Sequence, residues 1–418
     1  MLKVAKFGGS SLSDAARFIK MRDIVLADPA EKIVVVSACG KRFQGDEKIT
    51  DLLYNAYSRA KNGGNYSEPC DKIKTRLIEI SKKLGLKINI EGLLGDIFSS
   101  LKSQTESFIV SRGEYLSARI AAELLSFEFA DAKDLFIFDY DGTINEAECY
   151  KRFKKLPSGV VIPGFYGGYP NGEIKLFPRG GSDLSGAYAA VFAGADTYEN
   201  WTDVRGVMIA DPNVEPNAKT VRRMTYGDLK YLSALGANVL QEDTVSVAEA
   251  AGIPINVRSS SYPCDPGTLV SYERRGSSEG VIGVAFKSGY AAARIKTNRG
   301  AKALYDLYPQ LKKEGIEIEF CSLTACESVA AFKLPKEKSA LFLTKTCDLE
   351  LLSQDAALIG IVLGGGASDI SKTFEALFLA GVKTYGFSAN GERAVTILTE
   401  NSEKEKATRA ICRAAENT

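Results

Sequence analysis

Residues 32–39, KIVVVSAC, set three consecutive valines in an uninterrupted apolar run of strand length. A strand with one face in water alternates apolar and polar residues. A continuous run needs cover on both faces, the usual situation of a parallel sheet held between helical layers. The neighbouring segments keep the same rhythm. LKVAKF (2–7) reads as a strand, 14–27 as a helix, and KITDLLYNAYSRAKNG (48–63) as a helix ending at Asn62-Gly63. The stretch 70–126 reads as largely helical, its last helix being GEYLSARIAAELL (113–125). Strand-type runs return at DLFIFDY (134–140), GVVIPGFYG (159–167), EIKLFP (173–178), TYENWTDV (197–204) and PINVRS (254–259). The expectation is an α/β, three-layer domain around a mainly parallel central sheet.

The pattern changes at SYERRGSSEG (271–280), a charged, Gly/Ser-rich join. Beyond it, YAAARIKTN, the helical AKALYDLYPQLKKEG, IEIEFCSL and ESVAAFKL make one strand-helix-strand-strand unit. ALIGIVLGGGASD, the helical ISKTFEALFLAG, VKTYGFSA and RAVTILTE repeat that order, and the helical EKEKATRAICRAAEN closes the chain. Two such units in tandem are an internal repeat. The expected domains are 1–273, 280–344 and 345–418.

Composition narrows the chemistry. There is no histidine among the 418 residues, which excludes Ser-His-Asp and Cys-His mechanisms and histidine metal sites. With 53 Lys+Arg against 52 Asp+Glu the formal net charge is +1, and no basic run recommends a nucleic-acid partner. The eight cysteines form no CxxC pair, so neither a zinc knuckle nor a disulfide framework is indicated. No apolar stretch reaches the roughly 18 residues needed to span a bilayer, and no signal-peptide pattern precedes the first strand. A cytoplasmic location is the expectation.

Two glycine turns carry the chemistry. KFGGSS (6–11 from Lys6) joins a strand to a helix through Gly8, Gly9 and Ser10. Bare N–H groups, a helix start and a lysine suit an anion, above all phosphate. The same residues also make a plain tight turn, with Ser13 as N-cap and Asp14 in the first turn. PRGGSD (178–183) repeats the device with Arg179, Ser182 and Asp183, both turns being placed at carboxyl ends of strands in one parallel sheet. In SRGEYLSAR (111–119), Glu114 is read at a helix start, where it either answers the helix dipole or meets a substrate ammonium. Ser37 closes a strand, and Thr50 is most simply a helix N-cap. Thr202-Asp203 follows the single tryptophan, as a turn or a nucleotide contact.

KFGGSS, SRGEYLSA, RGGSD, WTDV and ADP occur in the order and context of the aspartate kinases of the amino acid kinase family, which the chain resembles nearly end to end. The resemblance implies the amino acid kinase fold followed by two ACT-like, ferredoxin-like domains. It implies ATP-dependent phosphorylation of the L-aspartate side chain to 4-phospho-L-aspartate. By the same resemblance Lys6 neutralises the transferred phosphoryl group within the Gly8-Gly9-Ser10 turn, and Asp183 orients it. Ser37, Thr50, Glu114, Arg179 and Ser182 hold aspartate. Thr202, Asp203, Met208, Asn213, Asn238 and Val239 line the nucleotide site. Mg²⁺ comes with the ATP phosphates rather than in a protein cage. A carboxylate acceptor, with a pKa of about 3.9, is already ionised and needs no general base, which suits a chain without histidine.

The sequence also departs from the family. GANVLQE stands where GAKVLHP is common, DPN where DPR is usual, and Met208 where an aromatic is often found. Two cations thus become Asn238 and Asn213, at a cost of ~1.5–3 kcal/mol for each charged hydrogen bond lost, unless Arg205, Arg222 or Arg223 compensates. The insert KRFQGDEK (41–48) brings Lys41, Arg42 and Lys48 towards the cleft. The VLGGGASD loop (362–369) is either a turn capped by Ser368 or Asp369 or a seat for an effector carboxylate, lysine or threonine in this family. ACT-like units also imply a homodimer. The alternative is a weakened kinase that persists as an amino-acid-sensing subunit.

Overall fold

The structure is a computed structural model, and it describes residues 1–178, 180–237, 239–273, 280–295, 301–323, 328–345, 349–365, 367–391 and 393–416. The chain divides into two compact units, the first comprising 1–207 with 240–272 and the second 208–239 with 273–418. Residues 208–239, placed with the first domain on sequence, thus group with the C-terminal part.

The first unit contains β1 (Lys3–Phe7), β2 (Glu31–Val36), β3 (Glu128–Phe129), β4 (Val160–Pro163), β5 (Tyr166–Gly168), β6 (Ile174–Leu176) and β7 (Thr197–Thr202). After β8 (Arg223–Thr225) of the second unit come β9 (Ile255–Ser259) and β10 (Thr268–Ser271) of the first. The central strands lie in the order β3-β4-β2-β1-β7-β9-β10. Every neighbouring pair from β3 to β9 is parallel, and only β10 runs antiparallel. The valine run therefore sits where its pattern required, between β1 and β4.

Helices α1 (Ala15–Ala27), α2 (Ile49–Lys61), α3 (Ser67–Leu84), α4 (Ile90–Ser99) and α5 (Glu106–Leu125) share one continuous core with Ala5, Phe7, Val34, Val36 and Trp201. α6 (Glu146–Phe153) and α7 (Gly181–Ala193) follow, and α7 covers the opposite face of β1 and β7. The period-two alternation of β7 is then plain. Trp201 stacks on Phe7 and Glu199 bonds Lys3 and the indole N–H on one face, while Asn200 and Tyr198 turn to α7 on the other.

Two sequence assignments change. DLFIFDY is not a sheet strand: Ile137 and Phe138 make only isolated bridges, and the segment folds back through Asp139–Thr143 to bury its phenylalanines against Phe153 and Phe177. β6 pairs with β5 in a separate antiparallel hairpin, so the second glycine turn does not leave a strand of the parallel sheet.

In the second unit, α8 (Tyr226–Ala234) carries a capping box at Thr225 and Asp228, and α9 (Glu242–Ala250) returns to the first unit. Then come β11 (Val281–Ile295), α10 (Ala301–Lys313), β12 (Glu317–Leu323), β13 (Ser328–Lys333), β14 (Leu349–Leu363), α11 (Ala367–Leu379), β15 (Thr384–Asn390), β16 (Ala394–Glu400) and α12 (Lys404–Glu416). The antiparallel sheet runs β12-β13-β11-β14-β16-β15. Its two strand-helix-strand-strand halves meet at β11 and β14, which pair from Val281 opposite Leu363 to Ile295 opposite Leu349. Residues 208–239 belong here because Leu232 and Leu235 press onto Gly283 and Gly360, where a side chain would have no room.

The turn after β1 is fixed by backbone proximity. A Cβ on Gly9 would lie 2.7 Å from the Ala38 carbonyl oxygen, and one on Gly40 would lie 2.5 Å from the Gly9 carbonyl carbon. The Gly40 N–H donates to Gly9 O at 2.8 Å. Gly40→Ala is expected to cost about 1–3 kcal/mol, a fall of roughly 3–10 °C in the unfolding midpoint of the first unit. Differential scanning calorimetry checks this, and melting indistinguishable from the wild type would contradict the close approach.

Candidate active site

Lys6 is the penultimate residue of β1, directly opposite Asn200 in the parallel register with β7. Its side chain is nearly buried, and Nζ donates to Asp183 Oδ1 at 2.5 Å. Asn200 Nδ2 donates to the same oxygen at 2.7 Å. Asp183 reaches them from the first turn of α7, which begins after Gly180 at φ 77°, a conformation that suits glycine. The Tyr198 hydroxyl donates to the Asp183 backbone carbonyl at 3.1 Å. Gly186, one turn further on, lets α7 lie flat: a Cβ there would stand 2.8 Å from the Tyr198 hydroxyl and 3.1 Å from Lys6 Cβ. The two glycine turns therefore face each other, although 177 residues separate Lys6 from Asp183.

Around Lys6 the first turn closes tightly. Gly8 N donates to Trp201 O at 3.1 Å, and a Cβ on Gly8 would sit 3.5 Å from Lys6 Nζ. Ser10 lies in a short 3-10 turn over Gly9–Leu12 that leads into α1. The cap of α1 is Asp14, which accepts from Arg17 N at 3.0 Å, and not Ser13, because the 3-10 turn shifts the helix start by one residue.

Glu114 requires a larger correction. α5 starts at Glu106, so Glu114 lies mid-helix and the dipole explanation for its charge falls away. Its carboxyl group is buried. The backbone amides of Ala38 and of Glu114 itself and the Arg112 charge act to lower its pKa, but Oε2 has no protein partner. Burial pushes its pKa from the ordinary 4.5 up to about 8. A buried carboxyl with an unpartnered oxygen is costly as a charge unless a cation joins it. Gly113 makes this burial possible, since a Cβ there would lie 2.9 Å from Ala38 Cβ. Ala38 in turn is the residue whose carbonyl meets Gly9. Close backbone packing thus runs from the Gly8-Gly9 turn to Ala38 and on to Gly113, the neighbour of Glu114.

Ser37 follows β2 and donates its N–H to Phe7 O at 3.0 Å, beside the same turn. Thr50 is not the cap of α2: Lys48 occupies that position and Thr50 stands in the first turn. Ser182 lies where a Cβ on Gly164 would come within 3.0 Å of its own Cβ. Next to it Phe165 holds φ at 74°, strained for a bulky residue, and its N–H bonds the Ser185 hydroxyl at 3.1 Å. Thr202 ends β7 and bonds Asp203 at 3.1 Å. Met208, Asn213 and Val239 belong to the second unit. Met208 bridges to Thr220, and the Asn213 side chain is engaged in its own turn with Asp211 at 2.9 Å. Arg179 and Asn238 lie outside the described residues.

Of the cations offered as compensation Arg205 stacks on Tyr262 with 3.7 Å to the ring centroid, and in the 41–48 insert Arg42 pairs with Asp46 at 2.9 Å. Among the described residues no group of three or more His, Cys, Asp or Glu side chains gathers as a metal cluster, and no helix is long and apolar enough to cross a membrane. Sequence reasoning missed Asn200, Ala38, Phe165 and Gly40. Asn200 did leave a signal, a polar residue inside an otherwise buried parallel strand. Ala38 and Gly40 act through backbone groups, and no side-chain chemistry announces them.

Residues 1–259 match the profile of the amino acid kinase family. Aspartokinase 3 of Bacillus subtilis is 33% identical over 312 residues, covering 70% of this chain and 69% of that protein. The chloroplastic aspartokinase 1 of Arabidopsis thaliana is 29% identical, and the chain spans 56% of its length. The crystal structure of Clostridium acetobutylicum aspartate kinase superposes with a TM-score of 0.90 at 32% identity, over 99% of this chain and 100% of that one. Escherichia coli aspartokinase III, solved with aspartate and ADP, shares the fold at a TM-score of 0.74 and 21% identity, over 99% of each chain. With its two facing glycine turns and this degree of likeness, the chain belongs to the amino acid kinase family and, within it, to the aspartate kinases.

Proposed function

We propose that this kinase transfers the terminal phosphoryl group of ATP to the side-chain carboxylate of L-aspartate, giving 4-phospho-L-aspartate and ADP. The observation that carries the reading is the Lys6–Asp183–Asn200 cluster, joined by packed backbone to a buried carboxyl group with one oxygen unpartnered. The acceptor arrives ionised, so no base is required. What the protein must supply is alignment and charge neutralisation. Lys6 places its ammonium against the transferred group, with Asp183 and Asn200 fixing its direction, and the 8–12 turn offers backbone N–H groups. Glu114 takes the substrate ammonium and Arg179 a carboxylate, with Ser37, Thr50 and Ser182 completing the aspartate side. Thr202, Asp203, Met208, Asn213, Asn238 and Val239 serve the nucleotide, which enters as MgATP.

The halves 280–344 and 345–418 are read as ACT-like regulatory domains of a homodimer, with lysine or threonine as effector. The E. coli relative was also solved with lysine and aspartate. At the 362–369 loop two of the described N–H groups are already taken: Gly364 bonds Gly280 O at 2.7 Å and Gly365 bonds the Asp369 carboxylate at 2.6 Å. An effector carboxylate that used the Gly365 N–H would have to displace Asp369. The engaged Asn213, Arg205 and Arg42 side chains favour a second reading, in which nucleotide binding is weak and the protein senses amino acids.

Four measurements test these readings. A hydroxamate assay with MgATP and aspartate, glutamate or N-acetylglutamate is expected to give product with aspartate alone. No product, together with aspartate binding by calorimetry, would favour the sensor. Lys6→Ala is expected to abolish turnover while changing aspartate affinity only a few-fold, and a normal rate would remove Lys6 from the mechanism. Glu114 has its folded pKa raised, so its contribution to stability is complete below pH 4.5 and is lost as pH rises through about 8. The ligand-free protein should therefore lose stability across that window, and Glu114→Gln should lose less. Aspartate binding at pH 7 should release a proton in the wild type and none in Glu114→Gln. Calorimetry in two buffers of different ionisation enthalpy reads this directly.

A further inference from the structure

Arg76 projects from the middle of α3 with its side chain only 4% exposed, and its polar contacts go to two site-bearing loops. One terminal nitrogen donates to Ser13 O at 2.9 Å and also to Gly40 O. The other donates to Glu47 O at 3.0 Å and lies 3.6 Å from the Asp46 carboxylate. Asp46 itself is gripped by the Arg42 backbone N–H and guanidinium. The loop between β2 and α2 is closed at its neck by Ile49 N donating to Cys39 O at 3.2 Å. Residues 40–48 thus form a compact Ω-like loop wrapped around a buried guanidinium.

The same guanidinium governs the phosphate turn from both ends. It holds Ser13 O directly, and it holds Gly40, whose N–H fixes Gly9 O. α3 does not depend on it for anchorage, since Cys70, Ile73, Leu77 and Ile80 already seat that helix in the core. A planar fork with donors on two edges suits carbonyls approaching from different directions, which a single ammonium cannot reproduce.

We propose that Arg76 is a positioning residue for phosphoryl transfer: by clamping the 8–13 turn to the 40–47 loop it fixes where the turn's N–H groups and Lys6 meet the nucleotide phosphates. This rests on the phosphoryl-transfer reading above. The role is absent from the sequence motifs, because α3 matches none of them.

The test compares wild type, Arg76→Met and Arg76→Lys by steady-state kinetics, by calorimetric titration of MgATP and by amide exchange. Arg76→Met should raise both the KM and the Kd for MgATP at least tenfold, with aspartate KM changed less than threefold. Arg76→Lys should fall between it and the wild type. Exchange should quicken in peptides covering 8–13 and 38–49 and stay unchanged in α5 and α7. A lower melting temperature with wild-type KM and Kd in the folded fraction overturns the proposal, as does unchanged exchange in both loops. Should Arg76→Met fail to fold, Arg76→Lys decides on the same readings. A wild type that binds MgATP without forming product overturns the transfer reading alone, and the MgATP Kd comparison still decides Arg76.

Discussion

The ion pair between Lys6 and Asp183 is the contact around which the first unit is organised. A lysine near the end of a central parallel strand is a buried charge, and such a charge persists only with a partner and further hydrogen bonds. Asp183 supplies the charge, and Asn200, one strand over, supplies the hydrogen bond to the same carboxylate oxygen. Bringing Asp183 there requires α7 to lie close on the sheet, which explains Gly186 and the left-handed Gly180. Charge placement, helix packing and turn geometry are one constraint seen at three scales.

Glu114 is the complementary feature. Lys6 is paired within the protein, whereas one oxygen of Glu114 has no protein partner. The protein therefore holds an orienting pair and an unfilled acceptor on either side of one packed backbone junction, Gly9 against Ala38. The pair supplies a directed positive charge, and the unfilled oxygen is suited to a positively charged group brought in from solution. This division favours a substrate that carries both an ammonium and a carboxylate over a simple diacid.

The second unit shows how a repeat becomes one body. Its halves share a sheet by pairing their long first strands, β11 and β14, through the middle. The outer strands then curve towards each other: a Cβ on Gly386 of β15 would stand 3.5 Å from Ser322 Cβ of β12. α8 is added from a segment that precedes the join in sequence, and its leucines fill the space left by Gly283 and Gly360. Packing, not chain order, assigns that segment.

What the sequence determined by itself was periodicity and residue type. Three valines in a row required a covered parallel sheet. The repeat of strand-helix-strand-strand required two like halves. The missing histidine, with two glycine turns beside Lys6 and Arg179, confined the chemistry to charge and backbone. These follow from local composition, which is why they were legible. Tertiary structure alone decided the rest, because it depends on which backbone meets which. Glu114 proved to be mid-helix and buried, with one oxygen unpartnered. DLFIFDY, apolar enough for a strand, was taken into a side-chain cluster. Gly40, Ala38 and Arg76 gained their importance from carbonyl and amide positions that any residue shares, and no pattern of side chains along a chain records where two loops will touch.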